Sequence, residues 1–259
     1  MMFALAALLP ASLYAQGVKK CLVLYYSQTG ATKSVAEELG KKLGADVIRM
    51  EVEKPYDGDF GQTIARCQEE MKAGVKPVVK PLGVDLKAYD VVFLGYPIWF
   101  GTYAPPVASL IAANDFAGKT LVPFCTFGSG GLDESTEALK KALPKAKVAN
   151  GYGVRTARVA AAPAEIDYFL KSNGYVAGKV EPLADFSEQK TVTDAEQNIF
   201  TEACSSYQFP LGTPKTAGHR AVKGGTEYKY IVDAGRGATS VIYVIALDGA
   251  KPDFTKVVR

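Results

Sequence analysis

One stretch near the start constrains this chain more than any other. Residues Cys21-Leu22-Val23-Leu24-Tyr25-Tyr26 are apolar without interruption, and a polar turn, Ser27-Gln28-Thr29-Gly30-Ala31-Thr32, follows directly. A strand with no polar face must be buried on both sides, which predicts a place inside a covered sheet. The residues after the turn change period. Val35, Ala36, Leu39 and Leu43 recur at helical spacing up to Gly44, which predicts a helix over 32–43.

The same alternation repeats. Strands are predicted over 46–52, 90–96, 120–126 and 147–154, and helices over 60–71, 105–113, 133–143 and 164–171. Residues 75–86, rich in Lys, Pro and Gly, read as irregular. Strands that alternate with helices form a parallel sheet, because parallel neighbours need a crossover. Five such strands predict an α/β doubly wound sheet of order 2-1-3-4-5, with ligands at the carboxyl ends of its strands. Beyond Gly178 the pattern changes. A polar stretch containing Pro182 precedes a predicted helix over 193–204, capped by Thr193 or Asp194. β runs at 227–233, 240–247 and 254–258 follow with no crossover helix between them, so they should be antiparallel. The expected organisation is an N-terminal arm over 1–17, the parallel domain over 18–179, a linker over 180–192 and a small α+β domain over 193–259.

Charge and cysteines narrow the function. Thirty basic and 27 acidic residues leave +3, with no basic run interleaved with aromatics, so nucleic acid is not an expected partner. The four cysteines form no Cys-x-x-Cys pair. Cys21 and Cys125 fall on strands separated by a third, about 10 Å apart, beyond disulfide reach. A single His219 removes most histidine-based catalysis and makes a zinc site unexpected. The apolar run 3–9, with Pro10 and then Ala15 before Gln16, resembles the end of an export signal and is too short to span a bilayer. It predicts export to the periplasm or another extracytoplasmic space, with no stable membrane insertion once it is removed. No Lys or Arg precedes the run, so either the true start lies upstream or the segment is an N-terminal arm, and a cytoplasmic protein is the alternative reading.

Three segments at predicted strand ends carry the chemistry. Ser27, Gln28, Thr29, Gly30, Ala31 and Thr32 wrap an anion at a helix N-terminus, where backbone amides and the helix dipole favour negative charge. The hydroxyls of Ser27, Thr29 and Thr32 can donate to phosphate oxygens. No Lys follows Gly30, which favours a phosphate monoester over a triphosphate. A capped helix start is the plainer reading of the same residues. Gly95-Tyr96-Pro97-Ile98-Trp99-Phe100-Gly101-Thr102-Tyr103 places the only Trp where a flat aromatic can stack on a heterocycle. Gly101 leaves the Phe100–Gly101 peptide room to turn toward a ligand. Thr126, Phe127, Gly128, Ser129 and Gly130, with Gly131, offer close backbone amides and one aromatic wall. In the order 2-1-3-4-5 the three segments share one edge.

These residues resemble the flavodoxin family. One branch carries Ser-x-Thr-Gly-x-Thr, Gly-x-Pro-Ile-Trp and Thr-His-Gly-Gly-Ser-Gly, similar here to residues 27–32, 95–99 and 126–131. The resemblance covers residues 20–178 and implies a flavodoxin-like sheet that binds FMN. It puts the phosphate on the first segment and the isoalloxazine between Pro97, Ile98, Trp99, Phe100 and Gly101 and the third segment. Phe127 replaces a His of that branch, which removes a proton donor and keeps a stacking surface. No catalytic acid or base and no metal ligand is assigned.

Two functions fit. One is an oxidoreductase that passes electrons from a reduced donor to a quinone-like or other small acceptor. The other is an electron carrier that docks to redox proteins, with the C-terminal domain as a binding module. Residues 18–179 carry 21 basic and 17 acidic side chains, unlike the acidic carriers of the family, and this tilts the reading toward the oxidoreductase. The donor and acceptor are not identified. Residues 196–258 weakly resemble a cystatin-like fold through Ala221-Val222-Lys223-Gly224-Gly225-Thr226-Glu227-Tyr228, although Ala221 and Lys223 depart from the inhibitory motif.

Overall fold

A computed structural model describes residues 20–259. The segment read as an export signal lies outside the described residues. The chain divides into two compact units. The first comprises Thr126 and the described residues before it, Leu132–Tyr152 and Val159–Val180. The second comprises Phe127–Gly131, Gly153–Arg158 and Glu181–Arg259.

The first unit is built on a parallel sheet. Its strands are β1 (Cys21–Tyr25), β2 (Asp46–Arg49), β3 (Val91–Trp99), the short β4 (Thr102–Tyr103), β5 (Thr120–Phe127), β6 (Lys147–Val148) and β7 (Tyr152–Arg155). Some of their last residues count with the second unit. The order is β2-β1-β3-β5-β6, with β7 also on β5 and β4 folded back on β3. This is the doubly wound order expected from the sequence. Its helices are α1 (Ala31–Leu43), α2 (Phe60–Ala73), α3 (Pro105–Ala113), α4 (Leu132–Ala142) and α5 (Ala162–Ser172). The chain steps from β1 outward to β2 and then back past β1 to β3. With right-handed crossovers, that reversal sends α1 to one face of the sheet and the next crossovers to the other. α5 returns to pack on α1. Leu22, Val23, Leu24, Val92, Phe93 and Leu94 are fully buried, which is why β1 and the first part of β3 are apolar at every position.

Three expectations need correction. The second strand ends at Arg49 rather than at Val52, which instead makes an isolated antiparallel bridge to Val79. The fifth strand is interrupted. Gly151 passes so close to β5 that a Cβ would sit 2.6 Å from the Pro123 carbonyl oxygen, and pairing resumes only at Tyr152. The third strand continues through Pro97 to Trp99, and a two-residue turn returns the chain along β4. The segment expected only to follow a strand end is a β-hairpin.

The second unit contains β8 (Lys190–Thr191), α6 (Asp194–Cys204), β9 (Thr213–Val222), β10 (Gly225–Gly235), β11 (Ala238–Leu247) and β12 (Asp253–Val258), in the order β12-β11-β10-β9-β8. β8 to β12 pair antiparallel throughout. Thr193 caps α6 in a reciprocal box with Glu196, which satisfies two end amides at once. Phe200 and Ala203 of the helix bury against Ala217, Tyr230, Val232, Ile242, Val244, Phe254 and Val257. β9 had no strand reading in the sequence. Its alternation breaks in the middle, where Ala217 and Gly218 are both buried, and its long pairing with β10 supplies what its composition lacks. The four cysteines form no disulfide among the described residues, and Cys21 and Cys125 sit on β1 and β5 with β3 between them.

Candidate functional site

The site begins where β1 ends. Tyr26 donates its amide to the Gly95 carbonyl (2.9 Å), and the chain then leaves the sheet. Gly30 takes φ +96°, a conformation that L residues rarely adopt, and opens directly into α1. The Ser27 hydroxyl accepts from the Gly30 amide (3.2 Å), as in the plain capping reading. Its own proton remains available to donate. The first intrahelical bond runs from the Ser34 amide to the Gly30 carbonyl, so the amides of Ala31, Thr32 and Lys33 have no acceptor among the described residues. These are the orphan donors of a 13-residue helix, with its dipole behind them. Nothing lies within 4 Å of where a Gly30 Cβ would be. Open space, orphan amides and the exposed Thr29 fit a phosphate group.

Two residues of the predicted cradle have their side chains engaged elsewhere. Thr32 is buried and its Oγ1 lies 2.8 Å from Thr126 Oγ1. It ties the start of α1 to the end of β5 instead of facing solvent. Gln28 donates its side-chain amide to the Thr63 hydroxyl (2.7 Å) and the Tyr56 carbonyl (3.0 Å), toward α2.

The second segment is the β3–β4 hairpin. Trp99 pairs with Thr102 and Ile98 with Tyr103, which leaves Phe100 and Gly101 as the turn. Their φ values are +52° and +78°, the left-handed pair that a two-residue hairpin requires. Phe100 is half exposed, and a bulky residue at positive φ costs about 1–3 kcal/mol, a strain found most often where a site imposes it. Partners across a strand pair point to the same face, so the Thr102 hydroxyl shares a face with the Trp99 ring. That hydroxyl oxygen is buried with no hydrogen-bond partner among the described residues.

Sequence reasoning missed three residues that line this edge. Trp99 meets Tyr26 and Tyr56 edge-on, with ring centroids 5.9 and 5.1 Å away. Burial pushes the Tyr26 phenol up to about 12. The Tyr56 phenol is also raised, first by burial and then by its hydrogen bond to Glu70, to which it donates at 2.5 Å. Arg66 spans the Tyr56 ring at 3.9 Å and donates to the Lys54 and Pro55 carbonyls, so α2 fixes this aromatic. Arg49, at the end of β2, donates to the Ser27 carbonyl (3.1 Å) and brings a cation beside the phosphate turn. A cleft of about 300 Å³ runs along Tyr26, Ser27, Gln28, Arg49 and Tyr56. One signal was available for two of them: Tyr26 stands just past the end of β1, and Arg49 is the last residue of β2. Tyr96, in the same segment as Trp99, is fully buried with its hydroxyl 3.2 Å from Ser135 Oγ and is structural.

Pro97 pairs with Thr126 across β3 and β5, so these two predicted residues are neighbours on the sheet. Phe127, Gly128, Ser129 and Gly130 belong to the second unit. Phe127 is buried and Gly128 is exposed. Among the described residues, no group of three or more His, Cys, Asp or Glu is placed to hold a metal ion. No described helix is long and apolar enough to cross a membrane.

A parallel sheet of this order, with an anion cradle at the end of its first strand, defines a doubly wound α/β protein whose site lies at the switch in strand order. The flavodoxin family model matches residues 20–162, more than half of the chain, and the chain belongs to that family. A protein of Bacteroides eggerthii described as a flavoprotein is 31% identical (TM-score 0.49), covering 58% of this chain and 99% of its own. One from Bacteroides uniformis is 26% identical (TM-score 0.52; 57% and 98%). A flavoprotein of Lactobacillus acidophilus solved in complex with FMN is 22% identical (TM-score 0.50; 60% and 100%). No curated protein matches the chain.

Proposed function

We propose that this chain binds FMN and works as an oxidoreductase, passing electrons from a reduced donor to a quinone-like or other small acceptor. The observation that carries the reading is the cradle at α1: orphan amides of Ala31, Thr32 and Lys33 at an open glycine turn, one strand from Trp99. Membership of the flavodoxin family supports FMN as the occupant.

In this reading the α1 amides and the Ser27 and Thr29 hydroxyls hold the phosphate. Arg49 adds positive charge beside it. Trp99 and the Phe100–Gly101 turn take one face of the ring. When bound, FMN supplies the electron-transfer chemistry, while the protein orients it and sets its electrostatics. The net charge of +4 over residues 18–179 supports a small acceptor over a basic protein partner. Export is part of the proposal and rests on the apolar run at residues 3–9.

The test is titration of the full chain with FMN, followed by a donor and acceptor screen. Quenched flavin fluorescence, and NADH or NADPH oxidation that depends on an added quinone, are expected. Unquenched FMN at micromolar protein overturns the cofactor assignment. Bound FMN that exchanges electrons only with a protein donor makes the chain a carrier.

A further inference from the structure

Arg66 lies on α2, outside the phosphate turn and the β3–β4 hairpin, yet its guanidinium organises the residues that stand beside Trp99. Nη1 donates to the Pro55 carbonyl (2.6 Å) and Nη2 to the Lys54 carbonyl (2.9 Å), the two residues that precede Tyr56. Nε donates to Glu70 Oε1 (2.8 Å), one helical turn further on. The other oxygen of that carboxylate, Oε2, accepts from the Tyr56 hydroxyl (2.5 Å). The central carbon of the guanidinium lies 3.9 Å from the centroid of the Tyr56 ring. Tyr56 is thereby held at its hydroxyl, over its ring and along the backbone before it, while Gln28 donates to its carbonyl (3.0 Å). The reciprocal cap of Asp59 and Gln62 fixes where α2 begins, just beyond it.

Tyr56 in turn meets Trp99 with ring centroids 5.1 Å apart and planes at 72°, and Tyr26 meets it at 5.9 Å and 89°. The two phenols meet each other at 6.5 Å and 74°. Rings that stand edge-on to one another in this way fix one another's planes. Neither phenol lies parallel to the indole, so neither fills the stacking position of a flat ligand. The β3–β4 ladder consists of the pairs Trp99–Thr102 and Ile98–Tyr103, and it fixes the backbone of Trp99 but not the turn of its ring.

We propose that Arg66 is a positioning residue for the ring site: through Glu70 and Tyr56 it sets the plane of the Trp99 indole before a flat ligand arrives. This rests on the FMN reading above. All of these residues belong to the first unit. An indole whose plane is already set loses little rotamer freedom when a heterocycle stacks on it, so more of the stacking energy reaches the binding constant. A guanidinium suits the position because its rigid fork serves two backbone carbonyls and a carboxylate together while its flat face covers a ring. An ammonium has no such fork.

Two variants and a control test the proposal. Arg66→Lys keeps the charge beside Glu70 and gives up the fork. Glu70→Gln keeps the size of the side chain and removes the charge that Arg66 and the Tyr56 hydroxyl share. Val122→Ala truncates a fully buried side chain of β5 whose strand partner, Phe93, stands near the start of β3, at the other end from Trp99. Trp99 is the only Trp, so its emission is read without interference. In the FMN-free full chain, an indole freed on the nanosecond scale should lose anisotropy and be quenched by acrylamide about twofold more efficiently in Arg66→Lys and Glu70→Gln. Val122→Ala should lower the melting temperature and leave both signals at their wild-type values. With FMN, Arg66→Lys and Glu70→Gln should bind about two- to threefold more weakly, and Val122→Ala as tightly as wild type. Wild-type anisotropy, quenching and FMN affinity in folded Arg66→Lys overturn the proposal, as do equal shifts in Val122→Ala. Should Arg66→Lys not fold, Glu70→Gln decides by the same measurements. If the unsubstituted chain binds no FMN, the cofactor reading fails, and the Trp99 signals of the FMN-free variants still decide the positioning.

Discussion

Replacing Thr32 by Val should destabilise the FMN-free protein by about 1–3 kcal/mol, and replacing Thr126 by Val should do the same, for one shared reason. Both side chains are buried and their hydroxyls bond to each other at 2.8 Å. Val has nearly the shape of Thr, so packing changes little. What changes is that the remaining hydroxyl loses its partner away from water, at about 1–3 kcal/mol. The double substitution removes both polar groups and loses one net hydrogen bond, about 1 kcal/mol. The energies should therefore fail to add by at least about 1 kcal/mol, the signature of a direct contact. Trp99, the only Trp, belongs to the same unit and reports its unfolding by fluorescence. At about 2 kcal/mol per molar urea, each single variant should shift the midpoint by about 0.5–1.5 M. Additive energies refute the assignment of this pair as a staple. A Thr32→Val protein as stable as wild type that has lost FMN returns the hydroxyl to the phosphate.

Three further outcomes are expected. Trp99→Ala should weaken FMN by about 1 kcal/mol, roughly fivefold, in a fluorescence-quenching titration, through the lost ring contact. Gly95→Ala should lower stability by about 1–3 kcal/mol in thermal melts, because the new methyl meets the Phe124 ring at 2.1 Å. Tyr26 holds its proton to about pH 12 when folded, against about 10 unfolded. The unfolded chain thus binds fewer protons between these values, and stability must fall as pH rises through that window. Tyr26→Phe should lose less stability than wild type between pH 9.5 and 12 by up to about 3 kcal/mol, read from urea midpoints.

Much of the parallel sheet was legible because its signals are local. β1 and β3 are buried on both faces, and a run with no polar position says so within six residues. Gly30 followed by a helical period marked the phosphate turn, and the structure gives that glycine φ +96°. The hairpin at Trp99 was hidden for the opposite reason. Pro97 and Gly101 read as breakers, and nothing in the segment favours a left-handed Phe100, which the turn imposes through the pairing of Trp99 with Thr102. The interruption after Val148 depends on how closely Gly151 approaches β5, a distance no periodicity carries.

The amino-acid order alone settled the alternation of strand and helix, the place of the cradle at the end of β1, and the change to antiparallel pairing after residue 178. Periodicity, turn chemistry and helix ends act over a few residues and need no partner. Tertiary structure decided which groups the cradle has to spare. Thr32 finds its hydroxyl partner 94 positions away, and Arg155 finds Asp253 98 positions away. Whether a buried polar atom is a ligand or a staple depends on which strand end the topology sets beside it, and that neighbour is written nowhere near it in the chain.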